Sequence, residues 1–445
     1  MPKITHRKKR LSSFKLIVLG FAGVIVLGAL ILMLPFSSTA GVVTPFHEAL
    51  FTSTSAVCVT GLVVQDTGSY WSAFGQTVIL LLIQIGGLGV VTVAALFAML
   101  SGRKISLMQR STMQDAISAP KVGGIVRLTR FIVRGTFLIE LIGMLVMLPT
   151  FCGNYGIKGI WMAAFHSVSA FCNAGFDILG TAENKYPSLT GYIGNPAINI
   201  TIMLLIIVGG IGFLTWDDIY TNKWHFKKYR MQSKVILVTT AILIIAPAVF
   251  FFFCDFTGLP LAERILASLF QSVTPRTAGF NTADLPTMTG SSKAIMTLLM
   301  LVGGSPGSTA GGMKTTTLAV LILSAFSVCR KKDDAEVCGR RIDGSAVKNA
   351  ATVAVMYFLL FFVGGIVIST AEGLPLSTCL YETASAVGTV GLTLGITPQL
   401  GVLSQLILIV LMYLGRVGGL TLIYAAISNK NQSGAKLPLE KITVG

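Results

Sequence analysis

Four short segments of the chain offer backbone chemistry rather than side-chain chemistry. They read Ala56-Val57-Cys58-Val59-Thr60-Gly61-Leu62, Ala170-Phe171-Cys172-Asn173-Ala174-Gly175-Phe176, Thr274-Pro275-Arg276-Thr277-Ala278-Gly279-Phe280 and Ala386-Val387-Gly388-Thr389-Val390-Gly391-Leu392. Each follows a short amphipathic stretch, precedes a long apolar run and carries a glycine at the matched position. Extended backbone around such a glycine points carbonyl oxygens at a central axis, and four such loops can surround one dehydrated cation. The chemistry implied is coordination of a monovalent ion by peptide oxygens in a one-chain, four-repeat pore.

The elements that position these loops must lie in a bilayer. The 445 residues are 53% hydrophobic and 12% charged, about half the charge of a soluble domain, so the chain cannot cover a water-facing surface of its size. A helix needs roughly 20 residues to cross the hydrocarbon core, and the apolar runs give eight crossing candidates, about 14–34, 74–100, 131–151, 197–218, 235–254, 292–329, 349–371 and 401–428. Between odd and even spans lie four segments of roughly a dozen residues, 45–57, 159–171, 260–273 and 375–387, too short to span. Three begin at proline, a favoured first helical residue. Each is expected to be a re-entrant half-helix entering from outside, its C-terminal, negative dipole end aimed at the membrane centre where it favours a cation.

A second motif follows each loop: Ile85-Gly86-Gly87-Leu88-Gly89, Val208-Gly209-Gly210-Ile211-Gly212, Val302-Gly303-Gly304-Ser305-Pro306-Gly307 and Leu414-Gly415-Arg416-Val417-Gly418-Gly419. From loop glycine to the first glycine here the spacing is 25, 34, 24 and 24 residues, the outlier reflecting an insertion near Glu183–Gly194. Close helix packing explains any single Gly-Gly pair and serves for 86/87 and 209/210, but not the register of all four. The chain therefore reads as an all-α integral membrane fold of four helix–pore-half-helix–helix repeats arranged pseudo-fourfold around one central pore. Its quarters are 1–100, 101–221, 222–330 and 331–445.

Two breaks stand out. Gly303-Gly304-Ser305-Pro306-Gly307-Ser308-Thr309-Ala310-Gly311-Gly312-Met313-Lys314-Thr315 cannot continue a helix cheaply, so it is expected to form an irregular intramembrane loop lining a wet cavity, a gate just beneath the filter. It is not a Walker loop, because Met313 separates Gly312 from Lys314 and no strand precedes it. Arg416 lies inside an otherwise apolar helix, where a charge is costly and usually faces a cavity or a partner. We expect it either to oppose cations electrostatically or to hydrogen-bond carbonyls of the 303–315 loop.

The formal net charge of +16 is unevenly spread. Of 34 basic residues, 27 fall in the N-terminus up to Lys15, in 101–134, 222–234 and 330–348, and in the C-terminal tail. All lie on one side if eight spans alternate, which makes that side and both termini cytoplasmic in a plasma membrane and removes any case for nucleic-acid binding. Acidic residues (Glu48, Asp66, Asp177, Glu183, Asp255, Asp284, Glu372 and Glu382) collect on the other face, where they raise local cation concentration or simply solvate loops. Seven cysteines without a CxxC pair read as free thiols. Arg276, Asn173, Cys58 and Cys172 are expected behind the filter, Glu140 as a paired structural carboxylate, and His47 and His166 without metal-ligand company. With no nucleophile–base pair or paired carboxylates at membrane depth, the chain does not read as an enzyme.

Taken together, these features resemble the Trk/Ktr/HKT superfamily of potassium transporters, nearest to the bacterial Ktr membrane subunit, over residues 14–430. The resemblance implies a K+ filter carried by Gly61, Gly175, Gly279 and Gly391, with carbonyls of Val59, Thr60, Asn173, Ala174, Thr277, Ala278, Thr389 and Val390. It implies a gate at 303–315 with Arg416 near it, a homodimer with one pore per protomer, and sodium-stimulated uptake. It further implies a cytosolic ring of regulatory subunits binding ATP or ADP. This chain has no nucleotide fingerprint of its own, so any nucleotide would sit on the partner and the chain itself needs no cofactor. The alternative is a secondary cation symporter with alternating access, whose repeats are typically two and often inverted.

Overall fold

In the computed structural model, residues 12–101, 105–117, 123–419 and 421 are described. The basic N-terminus before residue 12, Arg103, Lys104 and Lys121, and the tail from 422 with its basic residues lie outside them. Among the described residues sixteen helices run in chain order. The first quarter holds α1 (Ser13–Leu32), α2 (Phe46–Val57), α3 (Ala73–Leu88) and α4 (Val90–Leu100). The second holds α5 (Leu107–Ile117), α6 (Ile125–Tyr155), α7 (Lys158–Phe171), α8 (Pro196–Gly210) and α9 (Phe213–Asn222). Next come α10 (Met231–Cys254), α11 (Leu261–Val273), α12 (Gly290–Leu301) and α13 (Thr315–Cys329). The last are α14 (Gly344–Glu372), α15 (Leu376–Gly388) and α16 (Val402–Val417). A two-residue hairpin, Glu336–Val337 against Arg340–Arg341, joins α13 to α14.

Among the described residues four helices are long and apolar enough to cross a bilayer singly: α1, α6, α10 and α14. Their lipid-facing sides stay exposed, as Leu27 and Leu30 on α1 illustrate, because hydrocarbon rather than water is their solvent. The half-helices α2, α7, α11 and α15 occupy the expected segments and bury nearly all of their C-terminal halves, with Val168 and Leu269 half-buried. Backbone at membrane depth has to be enclosed by protein in this way. Pro45, Pro260 and Pro375 stand one place outside their helices, as N-caps.

Three of the four half-helices, α2, α7 and α11, lean on the long helix before them through a hydroxyl. Ser53 Oγ donates to the Ile25 carbonyl at 2.7 Å, Ser167 Oγ to that of Glu140 at 2.5 Å, and Ser272 Oγ to that of Ile244. Gly28 and Gly143, one turn further along, leave room for the same hydroxyls; a side chain at either would overlap Ser53 or Ser167 and a leucine, Leu82 or Leu205.

The second helices of the first, second and fourth quarters depart from expectation, while that of the third is interrupted where expected. None is one continuous span. α3 and α4 bend by 96° at Gly89, and α8 and α9 by 98° at Ile211–Gly212. α12 and α13 are separated by the 302–314 segment, and α16 ends at Gly418. The cause is local. Gly89, Gly212 and Gly418 have φ of 85°, 92° and 87° with ψ of 134°, 141° and 137°, a left-handed, extended conformation open to glycine and strained for other residues. In these three motifs the glycine three places after the first is thus a helix breaker, while the first packs. A side chain at Gly86, Gly209 or Gly415 would strike a carbonyl at the end of the preceding half-helix, that of Val57, Phe171 or Val387.

Candidate ion-conducting site

The loop glycines meet. A side chain on Gly61 would overlap the Ala174 carbonyl, one on Gly175 that of Ala278, one on Gly279 that of Val390 and one on Gly391 that of Thr60. The contacts run from each quarter to the next and return to the first. All four glycines have positive φ, 92°, 68°, 82° and 96°. The residues two places earlier, Val59, Asn173, Thr277 and Thr389, are left-handed as well, with φ of 57°, 59°, 66° and 53°. The same alternation therefore occurs in all four loops, which a non-glycine side chain rarely adopts. Val59, Thr60, Asn173, Ala174, Thr277, Ala278, Thr389 and Val390 are all buried, so the expected filter residues come together in one place.

Hydroxyls absent from the sequence-based expectation brace this backbone. Ser55 Oγ accepts from Gly61 N and Ser385 Oγ from Gly391 N, each at 3.0 Å. Ser169 Oγ donates to the Phe176 carbonyl at 2.8 Å, and Thr274 Oγ1 to that of Phe280. A serine six places before the glycine in three of four loops was the available signal; the third loop has Val273 there and uses Thr274 instead. Asn173 Nδ2 reaches the Arg276 carbonyl and Thr277 Oγ1, both at 3.3 Å. Arg276 is buried and donates to Thr240 Oγ1 at 3.3 Å. Behind the second loop, Glu140 accepts from Gln84 at 3.4 Å, with Cys172 beside both. Among the described residues no cluster of His, Cys, Asp or Glu could hold a metal ion, and the seven cysteines are unpaired.

Two cavities flank the ring. The outer one, about 230 Å³, is lined by all four glycines together with Asp66, Asp177, Tyr186 and Thr393. Asp66 accepts from the backbone of Ser69 and Tyr186 at 2.8 and 3.0 Å. Burial pushes the Asp177 carboxyl up to about 7; the Leu179 amide offsets part of this and the Asp66 charge adds to it. The inner cavity, about 270 Å³, is lined by Gly87, Gly89, Asp115, Lys314, Arg416, Gly418 and part of the 303–315 segment.

That segment is built into the ends of the broken helices. Gly303 N bonds Met313 O and Thr315 N bonds Gly304 O within it, at 2.8 and 3.0 Å. Ser305 N and Thr309 N donate to Gly210 O and Gly209 O, Phe213 N donates to Gly307 O, and Gly312 N to Gly415 O. Helix ends leave backbone groups without partners; here the loop supplies them. Ser308 Oγ donates to Ser305 O, and Lys314 Nζ to Ala310 O at 2.8 Å and Gly311 O at 3.3 Å. A side chain at Gly303 would touch Thr277, and one at Gly311 would overlap Thr389, so the segment lies directly against the ring of loops. Pro306 and Met313 face the inner cavity. Arg416 spans the interior, donating to the carbonyls of Thr309, of Gly86 at 2.5 Å and of Gly87 at 3.3 Å. It thereby links the third quarter to the first.

The fold and this geometry define a multi-pass membrane protein with a ring of backbone enclosed at its centre. The profile of the TrkH family, described as cation transport proteins, matches residues 17–434. The chain belongs to this family. It is 39% identical to the potassium/sodium uptake protein NtpJ of Enterococcus hirae, covering 98% of both chains. It is 37% identical to the Ktr system potassium uptake protein B of Bacillus subtilis, covering 97% of this chain and 96% of that one. The crystal structure of the potassium transporter TrkH from Vibrio parahaemolyticus shares the fold, with a TM-score of 0.75 at 18% identity over 96% of this chain and 87% of that one.

Proposed function

We propose that this chain is the pore-forming subunit of a potassium uptake system of the cell membrane. K+ enters the outer cavity, sheds water against the carbonyls of Val59, Thr60, Asn173, Ala174, Thr277, Ala278, Thr389, Val390 and the four glycines, and leaves through the inner cavity. The observation that carries the reading is the closed sequence of glycine-to-carbonyl contacts from first quarter to fourth and back. The half-helices end at that ring, where their negative ends favour a cation. The inside-negative potential supplies about 2.3 kcal/mol per charge per 100 mV. In the working assembly the chain is a homodimer, gated at 303–315 and Arg416 by a separate cytosolic ring that binds ATP or ADP, and stimulated by sodium. The names of the similar uptake proteins, one from a Ktr system and one a potassium/sodium protein, support this assignment.

A second reading has a specific observation behind it. Discontinuous helices are also how symporters with alternating access build their midplane sites, and among the described residues three of the four second helices are broken here. Rubidium flux into proteoliposomes separates the two. A pore gives flux that follows the Rb+ gradient and voltage alone, whereas flux locked to a proton or sodium gradient in fixed ratio would establish the symporter.

A further inference from the structure

A cavity of about 1120 Å³ lies away from the ring, between the start of α6, α9 and the α9–α10 connection. Arg127, Arg130, Arg134 and Arg230 line it. The spacing of the first three places them on one face of α6, spread over roughly 10 Å along its axis. Arg230 is already neutralised, 2.9 Å from Asp217 and 3.3 Å from Asp218. Arg127, Arg130 and Arg134 have no acidic or hydrogen-bonding partner among the described residues. The apolar part of the wall is Phe131 and Tyr220, whose rings lie 5.3 Å apart, and Leu138. Immediately beyond Arg134, α6 presents Phe137, Leu138, Leu141 and Ile142, each more than half exposed. This is the part of the helix that meets hydrocarbon.

We propose that this groove is a binding site for an anionic phospholipid of the leaflet on the basic side of the protein. Its phosphate lies among Arg127, Arg130 and Arg134, and an acyl chain runs up past Phe131 and Leu138. Guanidinium groups match phosphate oxygens bidentately, and basic pockets between helices at this depth are the usual form of headgroup recognition. A free phosphate would use the arginines but not the apolar wall, which continues directly into the lipid-facing side of α6.

The test is native mass spectrometry of the purified protein in mixed micelles holding phosphatidylglycerol and phosphatidylcholine in equal amounts. Wild-type protein is expected to retain phosphatidylglycerol preferentially. Arg127→Gln, Arg130→Gln and Arg134→Gln each lose about fivefold in retention, and the triple variant on the order of a hundredfold. The triple lysine variant keeps most of the binding and guards against misfolding as the cause. Equal retention of the two lipids, or a triple glutamine variant that binds like wild type, overturns the proposal. So does displacement of the lipid by millimolar inorganic phosphate, which makes the site an anion site. Protection of the groove only by an added acidic protein makes it a protein-docking surface, which also overturns the proposal. None of these readouts involves ion flux, so the lipid site and the potassium reading fail separately.

Discussion

Gly61 shows what a single position can decide. With φ of 92° and the Ala174 carbonyl in the space a side chain would fill, any substitution costs about 1–2 kcal/mol in left-handed strain and displaces an oxygen of the ring. Gly61→Ser is therefore expected to cut the preference for Rb+ over Na+ about tenfold, equivalent to ~1.4 kcal/mol, in competitive uptake assays. Unchanged selectivity would remove Gly61 from the filter. Asp177 provides a pH signature. Its carboxyl, held up to about 7 chiefly by burial, is charged above that pH and neutral below it. Protonation removes a negative charge from the outer cavity, where it concentrates cations. Uptake at low external K+ should fall as external pH drops from 8 to 6, with its midpoint near 7, and Asp177→Asn should be low and flat across the range. A wild-type profile matching the variant would show that this carboxylate does not act on the ion.

At the scale of elements, the 303–315 segment is held by backbone bonds to two neighbouring quarters and, through Arg416, tied to a third. Charged hydrogen bonds contribute about 1.5–3 kcal/mol. If they close the gate, Arg416→Gln should raise Rb+ flux on the order of tenfold, and deleting Ser308–Gly311 should raise it as well. Flux that falls or stays level in both would make the segment a passive kink. Much of this arrangement was legible in the sequence. The half-helices were, because their length falls short of a crossing and proline marks three of their starts. The 303–315 break was, because five glycines and a proline fall within it. The breaks at Gly89, Gly212 and Gly418 were not. One glycine costs a helix only about 1 kcal/mol, and Gly-Gly-x-Gly equally suits close packing, which is what Gly86 and Gly209 in fact do. The break at Gly212 is secured by a distant partner, the Gly307 carbonyl that receives Phe213 N, and no local pattern announces it. Ser55 and Ser385 escaped notice for a related reason: a buried helical serine acquires its role only when the loop folds back over it.

At the scale of the whole molecule, the uneven charge sets an orientation that the broken helices must respect. α12 and α13 have 12 and 15 residues, and a helix rising 1.5 Å per residue needs roughly 20 to cross. Neither crosses alone, so the third quarter reaches the far side only if the two act as one interrupted span. Exposed cysteines flank this pair: Cys254 ends α10, and Cys338 lies in the basic segment before α14. In single-cysteine variants, a membrane-impermeant maleimide should modify Cys254 in right-side-out vesicles and Cys338 only in inverted ones, because basic loops stay cytoplasmic. The opposite pattern would turn the protein over, making the Asp66 and Asp177 cavity the exit rather than the entrance. Labelling of both from one side would mean that α12 and α13 do not make a crossing. The third loop could not then join the ring from the same side as the other three, and a carbonyl cage completed by all four quarters would be untenable.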